Sequence, residues 1–363
     1  LGGGGSEVAL IELINALLEE LYNITLVLLD SDNEYAYRLK KNVNIVQLTF
    51  NSSFAKSLVS MYAFPAKVLK KLSVNSFIAY YDFISNCVTN VFEKTYDIAI
   101  DFYGYGSFVT AFLATKIQAK KKATWLHDEK PYWMKSVQKY LCEYDKIYGV
   151  SQAVVDAFCR EYPHYKDKAA VFYNVIDIEE IKRKSEQDEI IPFKESFNIV
   201  TVGRLTEQKG YVIAIKAASI LKKRKINFAW YAIGGGRDEK KLKKLVEKYC
   251  LENQFVFLGR KKNPYPYMKH CDLYVQPSRH EGYVITLVEA RALCLPILSS
   301  DIPSAREQIQ DGINGYVAEL SAEDLADKIE YLYNNPSQSK KTVEYLKEHP
   351  IDFSTELLKL EII

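Results

Sequence analysis

Pro277-Ser278-Arg279-His280-Glu281-Gly282-Tyr283-Val284-Ile285-Thr286-Leu287-Val288-Glu289-Ala290 begins where one apolar run ends and runs into another. The run Asp272–Gln276 before it reads as a strand and Thr286–Leu293 within and beyond it as a helix, so the stretch is a strand, a loop and a helix in succession. Glu281 falls in the loop, Gly282 lets the backbone approach a ligand, and Glu289 follows one to two turns into the helix. Two ionised carboxylates placed this way accept paired hydrogen bonds from vicinal diols and suit a ligand rich in hydroxyls. Two solvent-facing acids are the plainer alternative, weakened by Val284, Ile285, Leu287 and Val288, which make the segment otherwise apolar.

The same alternation extends in both directions. Downstream of Phe197, strands are expected at Phe197–Val202, Phe228–Ile233, Phe255–Leu258, Asp272–Gln276 and Pro296–Ser299, with helices near Val212–Lys222, Glu239–Tyr249 and Thr286–Leu293. Upstream, Ile24–Leu29, Asn44–Leu48, Asp97–Phe102, Ala123–His127, Lys146–Val150 and Ala169–Tyr173 read as strands, with helical windows at Glu7–Leu21, Ser107–Ile117 and Gln152–Cys159. Strands alternating with helices imply crossover units on mainly parallel sheets, and 363 residues suit about two such domains. The charged stretch Ile176–Ser196 between them reads as a linker. The expected division is 1–175, 176–345, and a helical segment 346–363 packing back toward the first domain.

Two further loops matter. Gly203-Arg204-Leu205-Thr206-Glu207-Gln208-Lys209-Gly210 leads from a strand into a helix. Its backbone N–H groups, helix dipole and two cations suit a diphosphate; a tight turn with two solvated basic residues fits the spacing equally well. Gly234-Gly235-Gly236 follows another strand but lacks the third spaced glycine and the acidic partner of a dinucleotide fingerprint, which disfavours a nicotinamide cofactor. A structural turn is its plain reading, and the loop is expected to line the nucleotide pocket.

Composition narrows the classes. With 48% hydrophobic and 26% charged residues the chain is globular, and a net charge of +2 gives no general pull toward nucleic acid. Six scattered cysteines lack metal-ligand spacing and fit a reducing cytoplasm. No apolar stretch spans a bilayer and no secretion signal is visible. Between Phe54 and Phe83, Lys56, Lys67, Lys70 and Lys71 interleave with Met61, Tyr62, Phe64, Leu69, Leu72, Phe77, Tyr80 and Tyr81; Lys116, Lys120, Lys121 and Lys122 add a second basic cluster. The pattern suits an anionic membrane surface, and an ordinary core helix with a solvated face fits it as well.

The second half resembles the retaining glycosyltransferases of family four, of the bacterial surface-polysaccharide type. Gly203-Arg204-Leu205 with Lys209-Gly210, Phe257-Leu258-Gly259, Tyr267-Met268-Lys269, Asp272, Pro277-Ser278 and the paired glutamates occur in the family's order. In the first half, Thr124-Trp125-Leu126-His127-Asp128 resembles the segment that ends in a sugar-facing histidine, and Tyr173-Asn174-Val175-Ile176-Asp177 resembles the interdomain junction. Gly4-Gly5-Ser6-Glu7 matches the family's first loop, although Gly2-Gly3-Gly4-Gly5-Ser6 also reads as a flexible linker. The family's opening strand would precede this loop, so the natural N-terminus is expected to lie upstream of Leu1. Cys294 stands where relatives often carry glycine and reads as a packing variant.

The resemblance implies an α/β protein of GT-B fold, two Rossmann-like domains facing across a deep interdomain cleft. It implies transfer of a hexosyl or N-acetylhexosaminyl group from a nucleotide sugar, expected to be UDP-linked, to a saccharide or lipid-linked oligosaccharide acceptor. Catalysis would fall to Glu281, His127, Arg204 and Lys209. Donor binding would involve Gly5, Gly203, Arg204, Lys209, Gly235, Arg260, Gly282, Tyr283, Val284, Ile285 and Glu289. Arg204 and Lys209 would hold the diphosphate, Glu281 the donor sugar, Glu289 the ribose, and the amides of Gly282, Tyr283 and Val284 would add donors. Fixed cations stabilise a departing diphosphate more in the transition state than in the ground state. No metal and no cofactor are expected, and the place of work is the cytoplasm, at the membrane's inner face if the basic stretches act there. A lone histidine is more often structural, so His127 rests on the resemblance.

Three other classes compete. A glycoside hydrolase would use two carboxylates but has no need of a diphosphate clamp. A sugar-nucleotide-binding protein without transferase activity, or an epimerase on the same fold, would bind the donor yet release no nucleoside diphosphate to an acceptor.

Overall fold

The computed structural model describes residues 5–17, 21–29, 36–40, 42–51, 53, 74–92, 94–104, 107–187, 193 and 196–361. The chain forms two compact units, one of Leu1–Ile176 with Phe353–Ile363 and one of Asp177–Asp352. The segment assigned to the first unit therefore begins at Phe353, and residues 346–352, expected to go with it, stay in the second.

In the first unit, β1 (Thr25–Leu28) and β2 (Asn44–Gln47) pair in parallel, and β3 (Tyr96–Asp101), β4 (Ala119–Leu126), β5 (Lys146–Gly149) and β6 (Ala169–Val171) form a parallel sheet in that order. Among its described residues the helices are α1 (Gly5–Ala16), α2 (Val74–Asn86), α3 (Phe108–Lys116) and α4 (Gln152–Glu161), and the C-terminal stretch of the same unit adds a short helix, Ser354–Leu358. Ser107 and Ser151 cap α3 and α4 by accepting from Val109 N–H and Val154 N–H, donors the first turn leaves without a helical partner. Under the sheet, the fully buried Trp125 packs against Phe102, Tyr148 and Phe172, with ring centroids 4.7–5.4 Å away.

Two expectations change here. Helix α1 starts at Gly5 and ends at Ala16, short of Leu21. Strand β4 begins at Ala119, so Lys120, Lys121 and Lys122 lie in the strand. Their amines are engaged within the fold: Lys120 meets Asp97 at 2.6 Å, Lys121 meets Asp145 at 3.2 Å, and Lys122 donates to the Ala114 carbonyl at 2.7 Å. Lys116 donates to Asn86 at 2.6 Å. The second basic cluster is thus a set of local pairs, while Lys56, Lys67, Lys70 and Lys71 lie outside the described residues, as do Gly2, Gly3 and Gly4.

The second unit contains β7 (Phe197–Val202), β8 (Phe228–Ile233), β9 (Phe255–Gly259), β10 (Leu273–Gln276), β11 (Ile297–Ser300) and β12 (Tyr316–Ala318). Its helices are α5 (Ile178–Ser185), α6 (Tyr211–Lys223), α7 (Glu239–Lys248), α8 (Tyr265–Lys269), α9 (Ile285–Ala292), α10 (Pro303–Arg306), α11 (Ala322–Asn334) and α12 (Pro336–Glu348). All six strands are parallel, in the order β12-β11-β10-β7-β8-β9. Successive side chains of a strand point to opposite faces, and both faces of this sheet are buried. Phe228, Trp230 and Ala232 pack with α6, α7 and α11, whereas Ala229, Tyr231 and Ile233 pack with Tyr267, Met268, Leu287 and Ala305 of α8, α9 and α10.

The presumed linker opens with a helix, and residues 188–192, 194 and 195 lie outside the described residues. Asp177 caps α5 by accepting from Glu180 N–H at 2.8 Å, and Ile181 and Ser185 are buried. Of the charges that suggested a linker, Lys182, Arg183 and Lys184 pair along the helix with Glu179 and Glu180, and Glu186 pairs with Lys269, while Asp188 and Glu189 lie outside the described residues. Cys294 is also more than a packing variant: its φ of 52° puts it in the left-handed region just after α9, where a glycine carries no steric cost.

Candidate functional site at the switch point of the second sheet

From β7 the chain winds one way through β8 and β9, then returns to the other side of β7 to lay down β10, β11 and β12. The reversal lies between β7 and β10, and ligands of open parallel sheets bind outside the strand ends at such a switch point. The loops after β7 and β10 are the two singled out by sequence.

Close packing joins them. Gly210 has φ 68°, and a Cβ there would lie 1.7 Å from the Pro277 carbonyl oxygen, so only glycine fits. Arg279 N–H donates to the Gln208 carbonyl at 2.8 Å, and the Gln208 amide donates to the His280 carbonyl at 3.1 Å. Tyr211 OH donates to the Gly203 carbonyl at 3.1 Å and anchors the loop's start. Gly234 packs against the same carbonyl, where a Cβ would lie 1.9 Å away. This accounts for part of the triple-glycine turn, while Gly235 lies against the Arg260 side chain.

Lys209 and Glu281 meet across the joined loops, Nζ to Oε1, at 2.7 Å. Glu281 is 8% exposed, and its Oε1 also accepts from Ser278 Oγ at 2.7 Å. Both contacts use the same oxygen; among the described residues Oε2 has no protein partner. Burying a carboxylate is costly unless it is paired and hydrogen-bonded, and here one oxygen meets that need. Arg204 is exposed and makes no ion pair among the described residues. Glu289 is half-buried on α9 and accepts from Tyr265 OH at 3.0 Å. Gly282, Tyr283, Val284 and Ile285 run into α9, whose first turn has no side-chain cap.

Sequence reasoning missed the support beneath Glu281. Tyr274 OH donates to Gln276 Oε1, Thr286 Oγ1 donates to the same oxygen at 2.9 Å, and Gln276 Nε2 donates to Ser278 Oγ at 2.6 Å. Ser304 Oγ holds the Glu281 carbonyl at 2.9 Å. Burial pushes the Tyr274 phenol well above its usual range, so it stays a neutral donor.

His127 and Gly5 belong to the first unit. Gly5 begins α1, with open space where a Cβ would stand. His127 follows β4, its Nε2 lies 2.7 Å from the Phe102 carbonyl, and its ring centroid is 5.0 Å from that of Phe102. A carbonyl only accepts, so Nε2 carries the proton. Burial lowers the histidine pKa from 6.5 to about 4, so the ring is neutral near pH 7.

Among the described residues no three His, Cys, Asp or Glu side chains converge as a metal site, and no helix is long and apolar enough to cross a membrane.

Comparison with known proteins adds to this geometry. Residues 182–349 match the model of the family described as Glycosyl transferases group 1. An uncharacterized glycosyltransferase of Methanocaldococcus jannaschii is 33% identical over 172 residues, 46% of this chain and 40% of the relative. The N-acetylgalactosamine-N,N'-diacetylbacillosaminyl-diphospho-undecaprenol 4-alpha-N-acetylgalactosaminyltransferase of Campylobacter jejuni is 30% identical over 184 residues, 48% of this chain and 49% of the relative. The chain therefore spans about half or less of the length of these curated relatives. In fold it is similar to Anabaena HepE, solved in complex with UDP, with a TM-score of 0.72 at 18% identity over 99% of this chain and 95% of that one. The match to the group 1 glycosyl transferases is thus confined to residues 182–349, and the chain as a whole shares the GT-B fold.

Proposed function

We propose that the chain is a retaining glycosyltransferase that moves a hexosyl or N-acetylhexosaminyl group from a UDP-linked donor to a saccharide or lipid-linked acceptor in cell-surface polysaccharide synthesis. The observation that carries this reading is the Lys209–Glu281 pair at the switch point, with one carboxylate oxygen open. The family match over residues 182–349 supports it, and the activity for which the Campylobacter relative is named, a sugar transfer to a diphospho-undecaprenol-linked acceptor, supports the acceptor class.

In this mechanism Arg204 and Lys209 stabilise the charge that gathers on the diphosphate as the bond from the anomeric carbon to the phosphate oxygen breaks. The acceptor hydroxyl oxygen bonds to the anomeric carbon on the same face, and its proton passes to the departing phosphate oxygen. The nucleoside diphosphate leaves with that proton, configuration is kept, and no side chain forms a covalent intermediate. Glu281 Oε2 accepts from a donor-sugar hydroxyl, Glu289 from the ribose, and the amides near Gly282 to Ile285 add donors. The two cations do the work a divalent ion does elsewhere, so transfer proceeds without metal. We place the reaction in the cytoplasm, beside an anionic membrane surface contacted by the lysine-rich stretch that includes Lys67, Lys70 and Lys71.

Incubation with a panel of nucleotide sugars, with and without saccharide acceptors and with and without chelator, tests the reading. Nucleoside diphosphate should appear only when acceptor is added, chelator should have no effect, and the product should keep the donor's anomeric configuration. Release without acceptor, or donor binding with no release under any condition, would favour a hydrolase or a binding protein; activity lost to chelator and restored by magnesium would overturn metal independence.

A further inference from the structure

Tyr274, Gln276 and Ser278 are spaced by two residues at the end of a buried strand, and all three have essentially no exposed surface. Polar side chains in such a place destabilise the sheet unless every donor finds an acceptor. The directions of their bonds are determined by the last link. Ser278 Oγ lies 2.7 Å from Glu281 Oε1, and an ionised carboxylate only accepts, so the serine proton points at Glu281. The serine oxygen must then accept from Gln276, which turns the amide nitrogen toward Ser278 at 2.6 Å. The amide oxygen is left facing Tyr274 OH and Thr286 Oγ1, both of which donate to it. Flipping the amide would reverse the chain and withdraw the serine proton from the carboxylate. The observed direction keeps the charge-assisted bond, about twice as strong as a neutral one.

We infer that Ser278 and Gln276 are positioning residues for Glu281: with Tyr274 and Thr286 they form a one-way hydrogen-bond relay that holds Oε1 and aims Oε2 at the donor sugar. The backbone beneath is fixed separately, as Ser304 Oγ holds the Glu281 carbonyl at 2.9 Å and Ser300 Oγ the Ser278 carbonyl. The relay therefore sets the carboxylate's rotation rather than the course of the loop. This rests on the reading of Glu281 as a donor-sugar contact.

Steady-state kinetics with UDP-glucose and UDP-N-acetylglucosamine, following UDP release in the presence of acceptor, tests the relay. Ser278→Ala should lower kcat about 10- to 100-fold with donor KM within about threefold, because a misaimed group costs rate more than ground-state binding. Ser278→Thr, which keeps the hydroxyl, should restore most of the loss. Gln276→Glu keeps shape and both acceptor bonds but turns the serine proton away from Glu281, and should match Ser278→Ala; it serves as the second variant if that one is poorly folded. In a Glu281→Gln background, Ser278→Ala should add less than twofold. Full activity of Ser278→Ala and Gln276→Glu alongside a dead Glu281→Gln would overturn the relay and leave the site standing. Full activity of Glu281→Gln would remove the site itself. Loss in Ser278→Ala that persists undiminished in the Glu281→Gln background would show that the serine acts elsewhere.

Discussion

Two buried carboxylates stand near the carboxyl ends of parallel strands, one in each unit, and they are finished differently. Asp101, at the end of β3, is fully buried, and both of its oxygens are taken: Oδ1 accepts from Gly104 N–H at 3.0 Å, Oδ2 from Thr110 at 2.6 Å and Thr124 at 3.1 Å. Burial still raises its pKa, outweighing the hydrogen bonds that favour the charged form. Glu281, 8% exposed, has a lysine at 2.7 Å and one oxygen without a protein partner. Burial alone therefore does not mark a functional acid. An acid whose oxygens are all satisfied holds the fold, and one held at a single oxygen beside a cation is built to meet something else.

That comparison can be broken most severely at the cation. Lys209→Ala should lower the turnover of the folded fraction by about two to three orders of magnitude, since removing a fixed charge at the transition state costs about 3–4 kcal/mol, and should also lower melting because Glu281 stays buried without its cation. Near-normal turnover would mean the pair is structural, like Asp101. Asp101→Asn should do the opposite: its amide would face two hydroxyl donors and a backbone N–H, which lowers stability by about 2–4 kcal/mol in chemical denaturation and leaves the kcat of the folded fraction nearly unchanged. A selective loss of kcat would undo the contrast.

Smaller effects sharpen it. Glu289→Ala should raise donor KM about tenfold with kcat little changed, since ribose contacts are made in ground and transition states alike. A loss confined to acceptor affinity would contradict that role. His127 gives a pH signature. Its folded pKa, about 4, lies below the unfolded value near 6.5, so the unfolded chain binds the extra proton first and stability falls as pH drops from about 6.5 to about 4. His127→Gln should flatten that limb of the stability profile; an unchanged profile would show the histidine to be more accessible than its surroundings suggest. Cys294→Gly should raise stability by about 0.5–1 kcal/mol by relieving the left-handed backbone at φ 52°.

The sheet of the second unit was legible because β8 is an unbroken apolar run and β7 a mostly apolar one, each followed by glycine, and the expected bounds Phe197–Val202 and Phe228–Ile233 match those observed. Strand β12, Tyr316–Ala318, is three residues long, too short to announce a period. Helix α5 was misread because charge density was weighed without its spacing; Glu179, Lys182, Glu180, Arg183 and Lys184 pair at the three- and four-residue intervals of a helix face. In the site, Lys209 and Glu281 could be picked out by type and by their loops. The relay could not, because Tyr274 and Gln276 sit in a strand that reads as core and Ser278 reads as a turn residue. The one trace of it is a spacing of two, which puts polar groups on a single face of a buried strand.

The central claim is that the open oxygen of Glu281 acts on the donor sugar, and the single-turnover rate of sugar transfer by Glu281→Gln, at saturating donor, tests it most directly. The amide keeps the shape and the ability to accept from Ser278 but loses the charge that pairs with Lys209. The account predicts a fall of at least about 100-fold, with UDP affinity within about threefold of the parent and unchanged melting. A rate within threefold of the parent would contradict it.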